Sequence, residues 1–182
     1  VARRFTEVTG KKVRRANAMF CHETYPFMRA DVDRMVVGEK AGLECKTASP
    51  FLADKWQDGQ VPMHYYIQCL HYMTVCDVDA WYIAVLIFGR EFKYYRMERD
   101  EEMIADLIRI EQDFWQNHVL KGQMPSPDGS KLADSVIAEY YKQTIAETIP
   151  LTGFNEKIKR RQELSEIIGK MDTEKRQIEQ EL

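Results

Sequence analysis

The sequence predicts a mixed α/β fold, a central mixed β-sheet flanked by helices, followed by a C-terminal helical extension. Three observations carry this reading. Short segments of strand character recur at 31–37, 42–47, 80–88 and 91–98. Helical periodicity interrupts them at 62–73 and again from Asp100 to about His118, so strands and helices alternate instead of forming separate blocks. A Pro- and Gly-containing linker, Gly122 to Ser130, then leads to segments with no strand character at all.

Taken in order, residues 1–8 read as a helix closed by Thr9-Gly10, and residues 13–20 as one strand. Residues 31–37 and 42–47 read as neighbouring strands around the turn from Gly38 to Gly42, and Trp56-Gln57-Asp58-Gly59 as a turn before the next helix. That helix opens near Pro62 and shows apolar residues at Ile67, Leu70 and Met73. Residues 80–88 and 91–98 are expected to form a hairpin through Gly89-Arg90, with Asp100 capping the helix that follows. Beyond the linker a helix is expected over 131–147, broken between Pro150 and Gly153. In 155–182, Leu164, Ile168, Met171, Ile178 and Leu182 make a heptad-like seam interrupted at Lys175, which predicts pairing with another helix or chain. The expected organisation is a core over 1–121, a linker over 122–130 and a helical extension over 131–182, with a coiled-coil segment at 155–182.

The chain has 182 residues, 45% of them apolar and 30% charged, enough for one packed domain plus an extension. Its net charge of −3 is unlike that of a protein that coats nucleic acid, so any attraction to phosphate must be local. Residues 3–15, with Arg3, Arg4, Lys11, Lys12, Arg14 and Arg15 against Glu7 alone, read either as a phosphate-facing patch or as an ordinary solvated helix end and hairpin; residues 100–118 are instead strongly acidic. Cys21, Cys45, Cys69 and Cys76 lack Cys-x-x-Cys spacing, which indicates buried thiols in a reducing cytoplasm and neither a zinc site nor a disulfide framework. His64 and His71 share a helical face without a third ligand, so a zinc role is not expected. No stretch is long and apolar enough to span a membrane; Ala80 to Phe88 reads as a buried strand.

The chemistry is concentrated in Asp31, Asp33 and Glu44-Cys45-Lys46. Side chains alternate along a strand, so Glu44 and Lys46 project together while Cys45 points into the opposite layer. Adjacent strands bring Asp33 to Glu44, and two carboxylates with a backbone carbonyl suit Mg²⁺, which keeps several waters. A lysine beside them would neutralise a phosphate. Gln68 and Tyr72, four apart on the helix, face the same way.

The order Asp33, Glu44-Cys45-Lys46 and a helix with Gln68-x-x-x-Tyr72 resembles the PD-(D/E)XK nuclease superfamily in its RecB-type branch. Tyr25-Pro26-Phe27-Met28, Gly42 to Ser49, Tyr65-Tyr66-Ile67-Gln68 and Trp81 to Leu86 extend the likeness, over about residues 1–125, to the YqaJ-type viral recombinases, relatives of the bacteriophage lambda exonuclease. The resemblance implies a restriction-endonuclease-like core. It makes Asp33 and Glu44 the metal-binding acids, Cys45 a ligand through its carbonyl, Lys46 the catalytic lysine and Gln68 a residue that orients the site. Mg²⁺ is the implied cofactor, with Mn²⁺ as a substitute. The implied activity is a DNA exonuclease of phage or prophage recombination, running 5′ to 3′ from double-stranded ends. The implied partners are a single-strand annealing protein and further copies in a ring-shaped homotrimer. Candidate DNA contacts are Asp31, Arg14, Arg15, Tyr65 and Tyr72, although tyrosines on a helix are as readily core residues. The family carries a phosphate-receiving segment upstream and a glutamate on the first helix, where this chain starts at Val1 and offers only Glu7; it is therefore expected to lack its N-terminal segment. Two other readings stay open: a structure-specific or restriction-type endonuclease on the same core, and an inactive remnant that acts as an interaction module through the 164–182 seam.

Overall fold

A computed structural model describes residues 1–88, 91–142 and 150–182. They form two compact units, Val1–Ser126 and Pro127–Leu182. In the first, α1 (Ala2–Thr9) ends at Gly10, whose left-handed backbone, φ 73°, lets its N–H reach the Thr6 carbonyl. Then follow β1 (Val13–Arg15), β2 (Met19–Cys21), β3 (Arg29–Asp31), β4 (Arg34–Val36) and β5 (Ala41–Ala48). A 3₁₀ turn, Pro50–Trp56, leads to α2 (Met63–Cys76), β6 (Ala80–Ile87), β7 (Glu91–Glu98) and α3 (Glu101–Phe114), which runs on into a π-helical turn, Trp115–Leu120.

Five strands make one mixed sheet in the order β1-β4-β5-β6-β7, and β2 and β3 form a separate two-stranded sheet. Only the central pair β5–β6 is parallel, joined by the α2 crossover, while the other ladders are antiparallel. Alternation along β6 sorts the core into two layers. Ala80, Tyr82 and Ala84 pack with Leu43 against Phe5 of α1. Trp81, Ile83, Val85 and Ile87 pack on the other face with Cys69, Leu70 and Met73 of α2 and Ile104 of α3. Near-continuous apolar sequence is what a strand covered on both faces requires.

Two expected strands are each split. Residues 13–20 divide into β1 and β2, and residues 31–37 into β3 and β4, so each half joins a different sheet. The chain passes from the small sheet to the large one at Val32–Asp33. Asp31 therefore does not share a strand face with Asp33; it is exposed on β3, opposite Met19. Cys21 also departs from expectation, being exposed where the other three thiols are buried or half-buried. The helix after Asp100 is α-helical only to Phe114. The helix expected over 131–147 stops earlier, at Tyr140, with Tyr141 and Lys142 already outside it; the Gly89-Arg90 turn and residues 143–147 lie outside the described residues.

The second unit contains α4 (Lys131–Tyr140), capped by the Ser130 hydroxyl, and α5 (Asn155–Glu181). All of α5 is exposed, its seam residues Leu164, Ile168, Met171 and Ile178 included. No helix among the described residues is long and apolar enough to cross a membrane.

His71 ties three elements of the first unit together. Its Nδ1 lies 2.8 Å from a Glu111 carboxylate oxygen on α3 and its Nε2 3.0 Å from the Arg29 carbonyl on β3. Both neighbours only accept, so the ring satisfies them best as imidazolium, and it has no nitrogen left for a metal. Burial pulls its pKa down, but the Glu111 bond, the Arg29 carbonyl and the Glu111 charge outweigh burial and leave it raised. A raised folded-state pKa stabilises fully below the unfolded value, about 6.5, and that contribution fades as pH climbs through the folded value. Thermal melts from pH 6 to 9 should show a decline of this form, and His71→Gln should flatten it.

Candidate active site

The site is built on the α2 face of β5. Period-two alternation puts Glu44 and Lys46 on that face and Cys45 in the α1 layer, as the sequence implies. Glu44 is only 5% exposed, an unusual position for a carboxylate unless it is paired. Its partner is Lys46, whose Nζ lies 2.6 Å from Glu44 Oε1. The same ammonium donates to Gln68 Oε1 at 2.9 Å, and Gln68 Nε2 donates to the Tyr72 hydroxyl at 2.8 Å. Gln68 and Tyr72 point together because they stand one helical turn apart on α2.

Asp33 arrives from the other side. The β4–β5 register, Arg34 opposite Leu43, continues to set Asp33 beside Glu44 just where β4 begins. Its Oδ2 accepts the Cys45 backbone N–H at 2.8 Å, which fixes the carboxylate against β5. Each acid thus has one oxygen held, by Lys46 or by Cys45 N–H, and a second oxygen without a hydrogen-bond partner among the described residues.

The electrostatics follow from this packing. Burial pushes the Glu44 pKa up; Lys46 opposes that and the Asp33 charge adds to it, leaving the value raised. For Lys46 burial acts downward, but the Glu44 hydrogen bond and charge, aided by Tyr65 and Tyr72, prevail and hold the ammonium protonated. The Cys45 thiol is pushed up to about 11, chiefly by burial and then by Asp33, so it stays a neutral thiol.

One part of the surroundings had no signal in the sequence. Lys46 Nζ sits 4.5 Å from the centroid of the Tyr65 ring. Tyr65 stacks on Trp56 at 5.6 Å, and Trp56 on Tyr95 at 6.2 Å. The Trp56 carbonyl accepts from Lys93 and from the Tyr95 hydroxyl, which locks the column. Tyr65 thus walls the lysine, a role that spacing could not separate from base stacking. The Tyr72 ring packs on Trp81, 5.3 Å between centroids. Arg14 and Arg15 lie on the short strand β1, and the register divides them: Arg14 falls in the row of Met35, on the α2 face, and Arg15 in the row of Arg34 and Leu43, on the α1 face. Glu7 is exposed on α1 and bonded to Arg3 and Arg4.

Among the described residues no three His, Cys, Asp or Glu side chains converge on a metal position. Two hard carboxylates and a backbone carbonyl nevertheless suit Mg²⁺, which needs few protein ligands and retains water, and they do not suit zinc, which prefers nitrogen and sulfur.

Residues 1–79 match the family model of the YqaJ-like viral recombinase domain. The chain is 40% identical over 190 aligned residues to the YqaJ protein of Bacillus subtilis (strain 168), covering 100% of this chain and 58% of that relative's length. In fold it is similar to an alkaline exonuclease from Laribacter hongkongensis, with a TM-score of 0.59 at 18% identity over 78% of this chain and 69% of the other. A phage related exonuclease from Haemophilus somnus 129PT gives 0.52 at 17% identity over 76% and 68%. The stretch that matches the YqaJ-like viral recombinase domain, residues 1–79, is the one that holds Asp33, Glu44, Lys46, Gln68 and Tyr72.

Proposed function

We propose that this chain carries the catalytic region of a Mg²⁺-dependent DNA exonuclease that hydrolyses phosphodiester bonds from double-stranded ends. The observation that carries this reading is the buried Glu44 carboxylate, paired with Lys46 and set beside Asp33. A buried ion pair is a weak stabiliser, because desolvation offsets most of its attraction, so its place on an otherwise apolar strand favours a chemical role. The exonuclease names of the structural neighbours agree with it.

Asp33 and Glu44 would hold the metal through their unengaged oxygens, with the Cys45 carbonyl as a further ligand. When bound, Mg²⁺ supplies Lewis-acid stabilisation of the phosphate and a more acidic water. Lys46, kept protonated by Glu44, places a positive charge beside the reacting phosphate and orients the attacking water by hydrogen bonding. Gln68 holds the ammonium to one position, and Tyr72 holds Gln68 in turn. Because lysine has three N–H donors and two are committed, to Glu44 and Gln68, the third is available to water or phosphate.

The test compares linear duplex with a covalently closed circle of the same sequence, in Mg²⁺, with Glu44→Gln as the inactive control. Digestion of the linear DNA with the circle intact is the expected result. Cutting of the circle would favour an endonuclease on the same core, and end-specific labels would report the direction, for which 5′ to 3′ is our expectation.

A further inference from the structure

The 3₁₀ turn Pro50–Trp56 begins two residues after the end of β5, the strand that carries Glu44 and Lys46. With three residues per turn, Ala53 and Trp56 fall on one side, and both are buried, at 5% and 2% exposure. Trp56 stacks on Tyr65, whose ring faces the Lys46 ammonium, so the turn is part of the wall of the site. Its start is fixed as well, since the Ser49 hydroxyl accepts the Phe51 N–H. On this anchored element Phe51 is 94% exposed and Leu52 44%.

A phenyl ring left almost wholly in water forfeits the burial that stabilises other aromatic residues. Here the exposure is not the result of a loose loop, because both ends of the turn are held. Phe51 follows Lys46 by five residues and so lies at most about 17 Å from it along the chain, within a few nucleotides of a phosphate held there. Aromatic rings presented beside a nucleic-acid channel stack on bases regardless of sequence, and only an unpaired base offers its face.

We propose that Phe51 is a base-stacking residue that takes an unpaired nucleobase of the strand held at Asp33, Glu44 and Lys46. The proposal rests on the nuclease reading and adds a contact that spacing and motif do not assign. It makes Phe51 a selector for frayed or single-stranded segments near the scissile bond.

The experiment uses the intact protein with DNA whose terminal bases carry 5-iodouracil, in Ca²⁺ in place of Mg²⁺ to suspend cleavage. Irradiation followed by peptide mass spectrometry should place the crosslink on Phe51. Phe51→Ala should weaken binding and raise KM by about tenfold for ends with unpaired bases, with kcat little changed. Phe51→Trp should restore both, and neither variant should alter the melting temperature, since the ring is exposed. Crosslinks found only on other residues, or an unchanged KM in Phe51→Ala while wild-type protein digests DNA, would overturn the stacking role and leave the nuclease reading intact. If wild-type protein neither binds nor cuts DNA, both fall.

Discussion

Lys46→Ala should reduce cleavage by about two to three orders of magnitude, the cost of losing one transition-state contact, while the carboxylates still bind Mg²⁺. Lysine is no metal ligand, and removing a cation from beside Asp33 and Glu44 does not repel another. The substitution does strand the Glu44 carboxylate, 5% exposed, without its ion pair. The Glu44 pKa, already raised by burial, should then rise further, so Mg²⁺ affinity in this variant should fall off at a higher pH than in wild type. Lys46→Gln keeps an N–H donor for Glu44 without the charge, and so separates a folding defect from a chemical one. Glu44→Ala should lose both metal binding and cleavage, because Asp33 alone would hold the ion weakly. Calorimetric titration at two pH values, paired with nuclease assays, checks the set. Near-normal cleavage by Lys46→Ala would remove β5 as the catalytic strand.

Gly42→Ala should damage both stability and activity although it adds one methyl group to a residue with no catalytic atom. A Cβ at Gly42 would lie 2.2–2.4 Å from three ring atoms of Trp81, its partner on β6. Trp81 is fully buried and cannot swing aside without repacking, so the cost falls in the overpacking range, about 1–3 kcal/mol. Melting should drop by roughly 3–10 °C. The displacement does not stop at Trp81, because its ring supports Tyr72, which holds Gln68, which holds Lys46. An error of about 1 Å in a catalytic group can cost on the order of a hundredfold in rate, so activity should fall more than stability does. Combining Gly42→Ala with Trp81→Phe frees the space and also removes an indole N–H that is buried without a hydrogen-bond partner among the described residues. Recovery of the melting temperature in the double variant would support steric origin; no recovery would refute it.

Where local sequence and tertiary contact agree, the sequence is enough. Glu44, Cys45 and Lys46 could be assigned to faces because alternation on a strand is rigid, and Gln68 with Tyr72 because i and i+4 meet on a helix. The breaks at Asn17 and at Val32–Asp33 were hidden for the opposite reason. Val32 and Val36 carry on an apolar pattern through the second break with neither Gly nor Pro, and only the pairing partners, β2 for one half and β5 for the other, divide the strand. In the column Tyr95–Trp56–Tyr65 the stacked pairs are 39 and 9 positions apart and come from three elements, a juxtaposition that no local pattern encodes. His71 shows the same limit: its neighbours Arg29 and Glu111 lie 42 and 40 residues away, so the sequence could show a lone histidine and not the ion pair that occupies it.

The passage of the chain from one sheet to the other at Val32–Asp33 also decides which lengths of this protein can be rewritten. Dropping or adding a residue there would slide β4 along β5 by one position and swap the faces of its side chains, turning Asp33 away from Glu44. The tip between β2 and β3 is under no such constraint: Glu23 and Thr24 are exposed and belong to neither strand, so extra residues there would lengthen a surface loop while leaving the carboxylates in place. Diversity among relatives, or an engineered graft such as a peptide tag, belongs at that tip, and the eight residues from Val32 through Glu39 should keep their number.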